Sequence, residues 1–282
     1  MPVAHLADRG VVRVAGEEAK AFLDGLLTCD LDRVAPGAPR YGALLSPQGK
    51  VLFDFIVFAA EGAFYLDCAR AQAAALAKRL GFYKLRAKVA VEDLSGTMGV
   101  FAGWGGSPSP EGGVVGGDPR LEALGWRALA SPLEGEGGDY HAHRIALGVP
   151  EGGTDFAFGD TFPHEALLDQ LHGVDFDKGC YVGQEVVSRM QHRGTARTRI
   201  VPLVYLQGSA AEIGSDVTAG ERAIGKTGSG SGGRGLAMIR LDRAADALAA
   251  GETLRASGQP VRVEIPDWAA FALPHAAATP AA

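Results

Sequence analysis

Residues 171–195 read Leu-His-Gly-Val-Asp-Phe-Asp-Lys-Gly-Cys-Tyr-Val-Gly-Gln-Glu-Val-Val-Ser-Arg-Met-Gln-His-Arg-Gly-Thr. At the centre, Lys178-Gly179-Cys180-Tyr181-Val182-Gly183-Gln184-Glu185 places a cysteine between two glycines and two residues after a lysine. Glycine adopts backbone angles that other residues avoid and lets the chain approach a ligand closely. A cation near a thiol favours the thiolate, the form that attacks electrophiles and binds metal. The bland reading of the same residues is a cysteine buried in a turn, because cysteine is often simply core.

Working outward, Phe162 to Leu171 has helical spacing, with Pro163 near its start and Gly173 past its end. Ile200 to Leu206 reads as a strand. From there to Ile265 short strands alternate with turns, with one Ala-rich helix over Arg243 to Ala250, which points to a small β-rich domain. On the N-terminal side, Val11 to Val14 reads as a strand. Ala19, Phe22, Leu23, Leu26 and Leu27 share one helical face within Gly16 to Leu27. Tyr41 to Leu45, a Pro47-Gln48-Gly49-Lys50 turn and Val51 to Phe58 form a hairpin pattern. Ala63 to Cys68 is a third strand, Arg70 to Leu80 an Ala-rich helix, and Lys84 to Asp93 a further strand. The first ninety residues therefore mix strands and helices in an α+β order. Gly103 to Gly117 is a glycine-rich loop or insertion.

The chain has 282 residues, 47% hydrophobic and 21% charged, with a formal net charge of −6. That charge argues against a general nucleic-acid coat or a binder of anionic membranes. Three distant cysteines without a Cys-x-x-Cys pair exclude a disulfide scaffold and a self-contained zinc or cluster site. They fit a reducing compartment, and the expectation is a cytoplasmic protein. The start has no basic cluster followed by an apolar run. No stretch reaches the roughly 18 apolar residues of a membrane span.

Two motifs are refused. Gly220-Glu221-Arg222-Ala223-Ile224-Gly225-Lys226-Thr227 matches the phosphate-binding loop pattern letter for letter. That loop requires a helix after it, and the following Gly-Ser-Gly-Ser-Gly-Gly cannot hold one; a β-hairpin is expected instead. His141 and His143 would share a strand face, but no third metal ligand lies nearby in sequence.

The string Lys178 to Glu185 resembles the signature of the YgfZ family, folate-binding proteins related to the T-protein (aminomethyltransferase) of the glycine cleavage system. Phe162-Pro163-His164-Glu165, Leu168-Asp169 and Arg189-Met190-Gln191-His192-Arg193-Gly194 agree with it. So do Ala21 to Asp30, Tyr41 to Val51, Ile224 to Thr227 and Gly235-Leu236-Ala237. The resemblance covers about 10–265. It implies an α+β fold: a two-part folate-binding region in a ring with a small C-terminal β-barrel. The expected modules are 1–95, 96–199 (carrying the motif loop), 200–266 as the barrel, and a disordered tail over 267–282.

The resemblance also implies a tetrahydrofolate-binding accessory factor for assembly or repair of iron–sulfur clusters. Its partners would be the assembly machinery, client [4Fe–4S] enzymes and some tRNA-modifying radical enzymes, with no membrane and no direct nucleic-acid contact. The alternative is a folate-dependent one-carbon transferase. Cys180 would be the reactive thiol and Lys178 its electrostatic partner, with Gly179, Tyr181, Gly183, Gln184 and Glu185 shaping the loop. Tyr41, Asp54, Arg144, Arg189 and Arg193 are the expected folate contacts. No resident metal site is expected, because one thiol cannot supply the roughly four ligands of a cubane cluster. Two departures from the T-protein pattern argue against aminomethyl transfer: Phe53 stands at the first of two acidic positions, and Ala146 replaces a carboxylate suited to the pterin amino edge. Folate is then expected to bind weakly or in a changed pose. The run Arg189, His192, Arg193, Arg197, Arg199 suits an anionic folate tail, RNA, or merely a solvated face.

Overall fold

The computed structural model describes residues 2–131, 138–194 and 196–274. They form two compact units: Met1–Tyr140 with Phe158–Pro163 and Leu171–Arg189, and His141–Ala157 with His164–Gln170 and Met190–Ala282.

The first unit holds nine strands: β1 (Val3–His5), β2 (Arg9–Ala15), β3 (Arg40–Leu45), β4 (Val51–Ala60), β5 (Ala63–Ala69), β6 (Ala90–Asp93), β7 (Gly99–Gly103), β8 (Val114–Gly117) and β9 (Trp126–Ala130). Helices α1 (Ala19–Asp24) and α2 (Arg70–Lys84) lie between them. Five strands pair in the order β3-β4-β5-β2-β6 and four in the order β1-β7-β9-β8. The β3–β4 hairpin pairs in one register from Arg40 opposite Val57 to Leu44 opposite Phe53 and shifts by a bulge to Leu45 opposite Val51 beside the Pro-Gln-Gly-Lys turn. Most of β4 is buried, and it is bounded by β3 and β5. On α2, Ala73, Leu76 and Leu80 fall on one face and join Val12, Leu66 and Val57 in the core.

Within this unit the two sheets share a buried charge network. Asp67 on β5 takes Arg9 Nε of β2 at 2.7 Å and Arg127 Nη1 of β9 at 2.9 Å. Arg127 continues to Asp118 at 3.3 Å, which Arg120 holds at 2.7 Å. Tyr140 Oη accepts from Arg120 at 2.7 Å and Arg127 at 2.6 Å. Charges this deep persist only when paired and hydrogen-bonded.

Helices α3 (Tyr140–Leu147) and α4 (Gln184–Arg193) precede the C-terminal strands. The second unit contains a closed barrel of β10 (Thr198–Tyr205), β11 (Asp216–Ala219), β12 (Arg222–Ser231), β13 (Arg234–Arg240), β14 (Leu254–Ala256) and β15 (Gln259–Val263), in the order β10-β13-β12-β11-β14-β15. Helix α5 (Leu241–Ala249) buries Leu241 and Ala244 in its core. The segment that mimics a phosphate loop is the β11–β12 hairpin, as expected.

Several local expectations change. Phe162 to Leu171 forms successive turns, not a helix, because Leu167 sits at φ 63°. Arg199 Nη1 also takes the His164 carbonyl at 3.0 Å. Lys84 to Asp93 is strand only from Ala90, since α2 runs on to Lys84. The glycine-rich stretch contains β8. Of the expected tail, residues 275–282 lie outside the described residues, whereas Trp268 Nε1 donates to the Leu147 carbonyl at 2.8 Å.

Burial alone would raise the Asp118 carboxyl, but Arg120 and Arg127 overcome it and hold its pKa at about 2, down from 3.8. A carboxylate depressed in the fold stabilises it above the unfolded pKa, and that stabilisation is lost as pH falls from about 4 toward 2. Asp118→Asn is expected to cost about 3 kcal/mol at neutral pH, because it leaves buried guanidinium uncompensated. The variant's deficit should shrink toward pH 2. Urea unfolding at several pH values measures both.

Candidate functional site

The motif loop lies in the first unit, and its anchor is Lys178. An ammonium has three donors. Lys178 Nζ uses them on the carbonyls of Asp24 at 2.7 Å, Leu27 at 2.8 Å and Cys29 at 3.0 Å, just past the C-terminus of α1. The Asp24 carboxylate stands 3.2 Å away, and the lysine side chain is 2% exposed. A cation here also meets the negative end of the α1 dipole. The same stretch receives the loop again: Thr28 Oγ1 donates to the Gly173 carbonyl at 2.6 Å, and Asp175 N donates to the Thr28 carbonyl at 2.9 Å. Asp30 N donates to Asp175 Oδ2 at 2.8 Å.

The far side of the loop is fixed by close backbone approach. Gly183 is at φ +84°, and a β-carbon there would lie 2.6 Å from the Ser46 carbonyl in the β3–β4 turn. Gly49 of that turn, at φ +79°, would put one 2.9 Å from Val186 Cβ. Both positions therefore require glycine. Gly179 is different: nothing lies within 4 Å of its would-be β-carbon.

Between these anchors Cys180 is exposed, whereas Cys29 and Cys68 are buried. Burial pushes both buried thiols up to about 12, against the opposing charge of Lys178 at Cys29 and of Arg9 at Cys68. Tyr181, next to the exposed thiol, is 7% exposed, and its hydroxyl has no hydrogen-bond partner among the described residues. Burial and Asp175 raise its pKa to about 12. Gln184 and Glu185 open α4, where Glu185 pairs with Arg189 at 2.5 Å.

The structure thus reassigns Lys178. Expected to favour the Cys180 thiolate, it is instead a buried clamp whose charge acts on Cys29. The expected folate contacts fall in both units. Tyr41 and Asp54 pair on β3 and β4 in the first unit, Tyr41 Oη donating to Asp54 Oδ2 at 2.9 Å. Arg144 belongs to the second unit, 1% exposed, with Asp155 at 2.7 Å and Glu151 at 3.2 Å. Asp155 also accepts from Ser229 N and Oγ at 2.7 and 2.6 Å. A β-carbon at Gly228, the residue after the refused phosphate-loop match, would fall 2.4 Å from Asp155 Oδ1, so glycine there leaves room for that carboxylate. The basic run divides: Arg189 and Arg193 are exposed, but Arg199 is buried against Asp169 at 2.9 Å. A groove of about 630 Å³ in the second unit is lined by Ala146, Arg234, Glu264 and Trp268 among others, none of them in the motif loop.

Over 304 aligned residues, covering 94% of this chain and 84% of the relative, the sequence is 35% identical to the mitochondrial iron–sulfur cluster assembly factor IBA57 of Homo sapiens. The chain belongs to the IBA57 family. The Mus musculus protein is 36% identical over the same shares. Residues 3–108 match the GCVT N-terminal domain and residues 197–271 the CAF17 C-terminal β-barrel domain. The aminomethyltransferase T of the glycine cleavage system from Bartonella henselae superposes with a TM-score of 0.75 at 17% identity, over 95% of this chain and 86% of that one. The expected fold is therefore present as a GCVT-like N-terminal domain and a six-stranded C-terminal barrel.

The comparisons overturn the cytoplasmic expectation, since the IBA57 relatives are mitochondrial. Cysteine usage reports only a reducing compartment, which an organelle interior can equally be.

Brief iodoacetamide treatment at neutral pH is expected to label Cys180 before Cys29 and Cys68, read by mass spectrometry. Lys178→Met, which orphans three carbonyls, should cost about 3 kcal/mol in urea unfolding. Lys178→Arg should not restore it, because a planar fork cannot reach three converging acceptors.

Proposed function

We propose that this chain is an iron–sulfur cluster assembly factor that offers the Cys180 thiolate to an iron centre held by a partner. The observation that carries the reading is the contrast among the cysteines. One is exposed on a loop anchored at both ends; the other two are buried with thiols pushed up to about 12. The kinship with IBA57 assembly factors supplies the reaction class.

A single thiolate cannot complete a cluster's ligand set, so the cluster is cargo and partner ligands must supply the rest. In such a step Cys180 loses its proton to solvent, and the thiolate replaces a labile ligand on iron. The Lys178 clamp and the tight Gly183 and Gly49 contacts hold the sulfur at a defined place, which lowers the ordering cost of forming a shared site. The resemblance to the YgfZ group extends this reading to [4Fe–4S] enzymes and radical tRNA-modifying enzymes as clients.

The residues expected to hold tetrahydrofolate do not fit it in their present partnerships. The Asp54 carboxylate is 3% exposed and bonded to Tyr41, and Arg144 is enclosed by Glu151 and Asp155. Ala146 offers no carboxylate for an amino edge. Nothing in the proposed mechanism runs through folate, and Phe53 and Ala146 stand where the T-protein pattern has carboxylates, which counts against aminomethyl transfer.

Complementation of a strain lacking its own assembly factor tests the reading. Wild type and Cys29→Ala are expected to restore [4Fe–4S] enzyme activity, and Cys180→Ala to leave it at least tenfold lower with unchanged thermal stability. Full rescue by Cys180→Ala would overturn it.

A further inference from the structure

Residues 69–91, α2 and the segment after it, contain Arg70, Lys78, Arg79, Lys84, Arg86 and Lys88 and no acidic residue, in a chain of net charge −6. Lys88 reaches Glu17 at 3.3 Å. Among the described residues, Lys78, Arg79, Lys84 and Arg86 form no ion pair. At the end of α2 two large apolar side chains stand in solvent, Phe82 at 67% and Leu85 at 89% exposure. Leu85 adopts φ 43° and ψ −100°, a backbone state that a leucine reaches only with strain. The fold gains no burial from it.

The composition of this edge discriminates among partners. It has no Ser, Thr, Asn, Asp or Glu, and Gln72 and Tyr83 are its only uncharged polar side chains. Side-chain acceptors and neutral polar groups, which a specific protein or RNA interface uses beside its cations at about one bond per 100–200 Å², are nearly absent. Two apolar side chains also fall far short of the roughly 800 Å² per partner of a stable protein interface. Diffuse, unpaired cations around a small apolar tip match instead a surface whose negative charge is itself diffuse and whose interior is apolar.

We propose that this edge docks the protein reversibly on an anionic bilayer surface. Phe82 and Leu85 enter the headgroup layer, and Lys78, Arg79, Lys84 and Arg86 lie over acidic lipid headgroups. Net charge argued against such a partner only because it averages over an uneven distribution. The inference is independent of the cluster chemistry at Cys180.

Co-sedimentation of the full chain with vesicles tests it. Pelleting is expected with phosphatidylcholine vesicles that contain phosphatidylglycerol, not with phosphatidylcholine alone, and should weaken as salt is raised. Combining Arg79→Gln with Arg86→Gln should lower the partition constant at least about tenfold. Leu85→Gly should lower it about tenfold without lowering Tm, since glycine accepts the positive φ. Absence of pelleting with acidic vesicles overturns the proposal and favours an acidic protein as the partner. Unchanged pelleting by the double glutamine variant overturns it as well.

Discussion

A lysine ammonium removed from water must find three acceptors or lose its charge. Lys178 finds them in the carbonyls of Asp24, Leu27 and Cys29, where α1 ends and can no longer satisfy its own backbone. One side chain thereby solves two problems, the unpaired end of a short helix and the placement of a loop 149 to 154 residues away in sequence. The identity of this residue is tightly constrained. An arginine fork does not match three converging carbonyls, and a methionine leaves them unbonded. The motif's lysine is thus fixed by architecture first, and it holds the Cys180 loop against the end of α1.

The hairpin of β3 and β4, the α2 helix and the barrel strands were legible in the sequence because each follows from local periodicity and turn residues. Two features were not. The turns over Phe162 to Leu171 imitate a helix in composition, and only the Arg199 guanidinium on the His164 carbonyl reveals the competing arrangement. Lys178 was misread because a lysine two residues from a cysteine looks like an electrostatic partner. The groups that capture it lie far upstream, and no spacing rule points to a carbonyl. A sequence signal did exist in hindsight: Ala21 to Asp30 and Lys178 to Glu185 are both stretches on which the family resemblance rests, and Lys178 bonds one to the other. The glycines split the same way. Gly183 and Gly49 are required by positive φ and contact, whereas nothing steric calls for Gly179.

The buried charges are met largely from within the chain. Arg144 closes on Glu151 and Asp155, and Asp155 reaches into the barrel strand at Ser229. Asp67 is shared between Arg9 and Arg127. Each network pairs its charges within the chain, although Arg127 Nε has no hydrogen-bond partner among the described residues.

The same closure sharpens the one group left open. Cys29 and Cys68 are sealed in apolar surroundings that disfavour their thiolates, and a thiol with a pKa of about 12 has a negligible anionic fraction at neutral pH. Of the three thiols, an oxidant or a metal ion arriving from solvent therefore meets Cys180 first. Tyr181, beside it, keeps a buried hydroxyl with no partner, a state that costs free energy in the isolated chain. A ligand or partner seated at the loop that offered an acceptor to that hydroxyl would recover that cost only in the complex. The loop is in this sense anchored to its own unit at both ends, with one unsatisfied hydroxyl beside its exposed thiol.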